Sequence, residues 1–245
     1  MTRLLEIVVH CFSAELPLYA AMLRYQIRAI ADNPPQHCRA KLIVACLAFD
    51  EDRAVADATH GKLGLCETFD LERVIMSREQ LFRRSIFRHA ISQCSSADVL
   101  WFADADWVMG PGCLDAVAAQ VSREDGLCLP THYHCRKSPE EGDEDWQAVL
   151  NGAEPVIDTS KFHRRRSKIA IGGLQIIGSD FARRIGYLPD SKWQWPADPT
   201  KPFRCFRDDS KWRMVHFSGA NRGKLIDVPN LYRLRHSKSS LNIDK

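Results

Sequence analysis

The sequence predicts an α/β protein: a mostly parallel sheet with helices on both of its faces. Two observations carry that prediction. Short apolar runs rich in β-branched residues recur along the first 122 residues, continuous rather than alternating, as strands buried on both faces require. Between them lie longer segments with a 3.6-residue apolar period, so strands and helices alternate as they do in βαβ units.

The first run, Leu4 to Phe12, reads as a strand. It passes through Ser13-Ala14-Glu15 into a helix from Leu16 to Ile30, which Asp32-Asn33-Pro34-Pro35 ends, because proline cannot continue a helix. A second strand over Lys41 to Phe49 leads to a polar helix over Asp50 to His60, and a third short strand covers Arg73 to Met76. A long helix follows from Arg78 to Gln93, then a fourth strand over Val99 to Ala103 and a helix over Asp115 to Ser122. Periodicity weakens across 131–168, which holds an acidic run (Glu140 to Asp145) and a basic one (Lys161 to Lys168) and reads as loop-rich. Order returns with a glycine-interrupted strand over Ile169 to Ile177, a helix over Ser179 to Ile185 and a Pro- and Trp-containing loop over Tyr187 to Phe206. A helix over Asp208 to His216 and a strand near Lys224 to Val228 complete the chain, which is expected to form one domain.

Composition narrows the function classes. The 245 residues are 45% hydrophobic and 27% charged, with 13 Gly and 12 Pro, which excludes collagen-like, low-complexity and wholly disordered chains. Thirty-four Lys and Arg against 31 Asp and Glu leave +3, which permits a phosphorylated or nucleic-acid partner without demanding one. The longest apolar run, Leu42 to Phe49, is far short of the roughly 20 residues of a membrane span. Glu6 interrupts the first apolar stretch and no small-residue cleavage site follows, so a cytoplasmic location is expected. Nine cysteines without a C-x-x-C pair suggest reduced, buried thiols, and His132, His134 and Cys135 lack the second ligand pair of a zinc finger.

The chemistry-bearing residues start with Asp104-Ala105-Asp106, a D-x-D motif. It ends the apolar run Val99-Leu100-Trp101-Phe102-Ala103 and precedes a turn, where an open α/β sheet binds its ligands. Two hard oxygen ligands there suit Mg²⁺ or Mn²⁺ held mainly through a substrate's phosphates. Arg84 and Arg88 stand at i, i+4 on the preceding helix and share a face from which both can reach a diphosphate. A second acidic pair, Asp208-Asp209, heads a short helix, and His236 lies in a polar, basic tail able to fold over a metal–diphosphate. Trp193 and Trp195, in the loop before that pair, are placed to stack on an acceptor sugar or base. The basic run 161–168 is either a solvated loop or a contact for a phosphate-bearing acceptor.

In this order the FADAD strand end, Gly172-Gly173 through Gly186-Tyr187, Arg207-Asp208-Asp209 with Trp212-Arg213, and Arg235-His236-Ser237 resemble the GT-A glycosyltransferases. The likeness is to family-2-like members and the β-1,4-galactosyltransferase type, over roughly residues 4 to 242. It implies a Rossmann-like GT-A fold with a nucleotide-binding half (1–122) and an acceptor-binding half (123–245). It also implies that Asp104 lies near the ribose and metal, that Asp106 and His236 bind the cation, and that Asp209 is the general base, with Asp208 touching the sugar or acceptor. Gly172 and Gly173 would let backbone approach the donor sugar, while Cys11, Phe12, Ser13 and Asp50 would line a uracil pocket. Where the galactosyltransferase type has a methionine ligand three residues before its histidine, this chain has Arg233.

The expected function is metal-dependent, inverting transfer of a sugar from a nucleotide diphosphate, a UDP-sugar foremost, to a hydroxyl of a glycan or lipid-linked saccharide. A hydroxylated DNA base is an alternative acceptor. Two rivals remain: a sugar-nucleotide nucleotidyltransferase, which needs a glycine-rich phosphate loop that residues 9–20 lack, and a non-catalytic scaffold of the same fold.

Overall fold

A computed structural model describes residues 2–13, 17–60, 68–82, 84–136, 143–167, 173–187, 208–217 and 223–234. In chain order it comprises β1 (Arg3–His10), α1 (Leu18–Asp32), β2 (Cys38–Cys46), α2 (Arg53–His60), β3 (Phe69–Ile75), α3 (Arg78–Phe82), α4 (Arg84–Cys94), β4 (Val99–Ala103), β5 (Trp107–Met109) and α5 (Cys113–Gln120). Then follow β6 (Cys128–Pro130), β7 (His132–Cys135), α6 (Asp143–Leu150), a 3₁₀ turn (Thr159–Lys161), β8 (His163–Arg166), β9 (Leu174–Gly178), α7 (Ser179–Ile185), α8 (Asp208–His216), β10 (Lys224–Ile226) and β11 (Leu231–Arg233).

The predicted α/β class holds. A seven-stranded sheet runs β10-β6-β9-β4-β1-β2-β3. Strands β1, β2, β3 and β4 are mutually parallel, while β9 runs antiparallel to both β4 and β6, so the sheet is mixed. Successive side chains of a strand point to opposite faces. Leu5, Ile7 and Val9 enter one core with α1 and α5, and Val8 enters a second core with Leu81, Phe87 and Trp212. Both faces are therefore dry, which is why these strands are apolar throughout instead of alternating.

The expectation for 131–168 needs correction. Among the described residues four elements form there, β7, α6, the 3₁₀ turn and β8, and β7 and β8 belong to a second, four-stranded sheet of order β5-β11-β7-β8. Its strands are three or four residues long and pair across large sequence separations, as Arg233 does with Trp107 and Cys135, so no local period announces them. The basic residues 163–166 are consequently a strand and not a loop. Among the described residues it is the outermost strand of that sheet, and all four of its residues are exposed. Among the described residues, no helix is long and apolar enough to cross a membrane.

Candidate functional site

From β1 the chain moves outward through β2 to β3, then crosses back to place β4 on the other side of β1. Where connections leave in opposite directions, the carboxyl ends of the strands open into a crevice. The register aligns Val9 with Ala103, so the next residues, His10 and Asp104, flank that crevice.

The turn after β4 is fixed from several sides. The Asp104 amide donates to the Gly173 carbonyl (3.1 Å), the Trp107 amide to the Asp104 carbonyl (3.2 Å), and the buried Gln26 of α1 donates its Nε2 to the Trp107 carbonyl (2.8 Å). Asp104 and Asp106 are thereby presented on a rigid turn, and each has a guanidinium partner. Arg84 Nη1 donates to Asp104 Oδ1 at 2.7 Å, and Arg233 Nε donates to Asp106 Oδ2 at 3.0 Å. The Asp104 side chain is 36% exposed and open to a ligand, whereas that of Asp106 is only 11% exposed. Burial alone would depress the Arg233 pKa, but the charge and hydrogen bond of Asp106 outweigh it and raise it. Arg233 also lies over the Trp107 ring, 5.4 Å from its centroid, and the Leu234 amide donates to the Asp106 carbonyl at 2.7 Å. The end of β11 is thus strapped across the acidic turn.

Gly173 must be glycine for steric reasons. A Cβ built there would fall within the Asp104 carboxylate and 2.6 Å from the Asp104 Cβ. Gly173→Ala is expected to push Asp104 off Arg84 and destabilise the fold by about 1–3 kcal/mol, the usual cost of overpacking. Denaturant unfolding of the variant measures this, and an unchanged midpoint would contradict it.

Arg84 and Arg88 do not share a ligand-facing surface, which corrects the helical-face expectation. Arg88 is fully buried, donates from Nη1 to Tyr187 Oη (2.9 Å) and Gln175 Oε1 (3.3 Å), and lies over the rings of Phe102 and Tyr187. Burial on both sheet faces means that α4 turns one arginine inward and leaves Arg84 at the crevice. Tyr187 stacks on Trp212 of α8 at 4.6 Å, and Trp212 Nε1 donates to the Gly186 carbonyl at 2.9 Å. This pins α8, whose first two residues are Asp208 and Asp209, to the core. Their side chains lie outside the described residues, as do Gly172, Trp193, Trp195 and His236 altogether.

At the other wall, Cys11 is buried with its amide donating to Ala45 O, and burial pushes its thiol well above the ordinary pKa. Phe12 is buried beneath the Arg78 guanidinium. Ser13 donates its amide (2.5 Å) and hydroxyl (2.6 Å) to Asp52, which also accepts from the Val55 amide at the start of α2 (3.3 Å). Cys11, Phe12 and Ser13 therefore shape the wall, while Asp50 and Phe49 stand exposed above it. Asp52, missed in favour of Asp50, carried a readable signal: it stands where an aspartate caps the helix beginning at Arg53.

His10 was also missed. Both its ring nitrogens are buried without a hydrogen-bond partner among the described residues, and the ring sits edge-on to Phe87, centroids 5.5 Å apart. Burial first, then the charges of Arg88 and Arg84, hold its pKa well below the ordinary value, so it is a neutral imidazole with one donor and one acceptor on offer. The unfolded chain binds a proton at this histidine below about pH 6.5 and the folded chain does not, so stability falls as pH drops through that value. His134 and His216 are lowered too and act with the same sign. His10→Phe is expected to flatten the decline between pH 6.5 and 5 by up to about 1.4 kcal/mol per pH unit, the one-proton slope. Denaturant titrations at pH 7, 6 and 5 test this, and an unaltered slope in the variant contradicts a buried neutral His10.

No protein-family model matches the chain, and no curated protein matches it significantly. The site has to be judged by its own chemistry. Among the described residues no three His, Cys, Asp or Glu side chains gather around a common point. Asp104 and Asp106 are hard oxygen donors, each engaged by a guanidinium, and one or two carboxylates are what Mg²⁺ or Mn²⁺ commonly takes beside phosphate oxygens and water.

Proposed function

We propose that the protein is a metal-dependent GT-A-type glycosyltransferase. It moves a sugar from a nucleotide diphosphate, a UDP-sugar foremost, to a hydroxyl of a glycan or lipid-linked saccharide with inversion. The observation that carries the reading is the pairing of Asp104 and Asp106 on a fixed turn at the β1/β4 switch point, with the Arg84 cation beside them. A nucleotide binding in that crevice would meet a carboxylate pair for a phosphate-bound cation and a guanidinium for the phosphates.

Asp104 and Asp106 would hold Mn²⁺ or Mg²⁺, with His236 as a further ligand, and the ion would neutralise charge developing on the leaving diphosphate. Arg84 adds a second cation on the diphosphate side. Absence of a side chain on Gly173 gives the Asp104 carboxylate its place in the turn. As the acceptor oxygen bonds to the anomeric carbon, the bond from that carbon to the diphosphate oxygen breaks, and Asp209 takes the acceptor's proton. Attack opposite the leaving group inverts the anomeric centre. Asp208 and the Trp193 and Trp195 rings would position the acceptor.

The test is thermal unfolding with UDP, GDP, CDP, TDP and their sugar conjugates, each with and without Mn²⁺, since a ligand of the native state raises its stability by mass action. A rise that needs one nucleotide together with Mn²⁺ is expected. No rise with any of them overturns the reading.

A further inference from the structure

We propose that Arg233 is a built-in counter-ion of this site. It holds Asp106 while the crevice lacks donor, and it passes to the donor's diphosphate when a divalent cation takes Asp106. The inference rests on the glycosyltransferase reading and adds to it a residue that exchanges partners.

Three observations carry it. Asp106 is almost enclosed, and a buried carboxylate is costly without a partner of opposite charge. Arg233 provides one, with Nε 3.0 Å from Oδ2, yet it approaches from a different sheet from the one that presents Asp104. The Arg233 side chain is 35% exposed and its guanidinium rests on the Trp107 ring, a second contact that remains when Asp106 is released.

Charge balance then dictates the exchange. Arg84 and Arg233 offset the charges of Asp104 and Asp106, so the two ion pairs as they stand attract a cation weakly. A divalent ion on Asp106 shares its carboxylate with Arg233, whose like charge opposes the ion and favours the guanidinium's departure. A nucleoside diphosphate offers the displaced guanidinium a stronger, bidentate anion in the same crevice. Cation and nucleotide therefore favour each other's binding, by one coupling free energy that acts in both directions.

The bland alternative is that the pair only staples β11 to the turn before β5. The two predict different results for Arg233→Gln, which keeps a polar side chain and removes the charge. The probes are Mn²⁺ alone, followed by electron paramagnetic resonance of the free ion, and UDP with Mn²⁺, followed by calorimetry, on protein with the native circular dichroism spectrum. A counter-ion predicts that the variant binds Mn²⁺ alone about tenfold tighter, a difference of about 1.4 kcal/mol, while UDP with Mn²⁺ binds about tenfold weaker. Arg233→Lys, which keeps the charge, should stay within about threefold of the unaltered protein for both ligands. If Arg233→Gln does not fold, Arg233→Met, which also removes the charge, is measured in its place with the same expected outcomes. Mn²⁺ must still tighten UDP binding in the lysine variant if a cation is what exchanges, and loss of that effect overturns the proposal. Mn²⁺ affinity unchanged or weakened in Arg233→Gln makes the pair a staple and overturns the proposal, even where the unaltered protein binds Mn²⁺ and UDP. Failure of the unaltered protein to bind either ligand instead overturns the glycosyltransferase reading itself.

Discussion

Asp209→Asn is expected to slow sugar transfer by about 10²–10⁴-fold while leaving donor binding almost unchanged, as loss of a general base does. Asparagine keeps the side chain's size and remains acceptable at the start of a helix, so α8 should persist with at most about 1 kcal/mol lost from the helix dipole. That helix has an anchor beyond its first residues. Trp212, stacked on Tyr187 and bonded to Gly186, anchors it from one turn further along. A fall in turnover therefore reports chemistry and not a displaced helix. Single-turnover transfer and donor affinity should be measured on the same preparation. Near-normal transfer would remove Asp209 from the role of base.

Asp106→Ala should have two effects of different origin. The divalent dependence of nucleotide binding should disappear, because Asp104 alone, already bonded to Arg84, is a weak monodentate anchor. Stability should fall by about 1–3 kcal/mol, less than the roughly 3–5 for a wholly buried pair, because the Arg233 guanidinium can turn to solvent. Arg233→Gln restores neutrality in the double variant, so it should recover part of the stability and none of the metal dependence. Calorimetric titration of UDP with and without Mn²⁺, together with denaturant midpoints, separates the two effects. Retained metal dependence in Asp106→Ala would remove this residue from the cation site.

The parts of the fold that were legible in the sequence are those whose signal is local. The Val99–Ala103 strand, the Ser179–Ile185 helix and the Asp208–His216 helix have the bounds their patterns predict, because an apolar run or a helical period sits between clear breakers. Each misread part depended on something distant. Strands β5, β7, β8 and β11 are too short to show a period, and each exists through partners far along the chain. The carboxylate pair was legible because it closes an apolar strand. Arg233 as its partner was not, since only the crossing of β11 over that turn brings residues 127 apart together. Arg88 looked equivalent to Arg84 for the same reason. Spacing of four puts two side chains on one side of a helix, but it cannot tell which of them the neighbouring Tyr187 and Gln175 will enclose.

The all-exposed β8 has a consequence for the protein in concentrated solution. A strand at the margin of a sheet offers unpaired amides and carbonyls to any copy that collides with it, and here three successive arginines guard that margin. Two copies approaching margin to margin must bring like charges within a strand spacing of each other. The repulsion weakens with ionic strength, as the screening length shortens from about 30 Å at 0.01 M salt to about 3 Å at 1 M. Colloidal stability of this protein should therefore be greatest in dilute buffer, and anions that neutralise guanidinium groups should be the additives that end it.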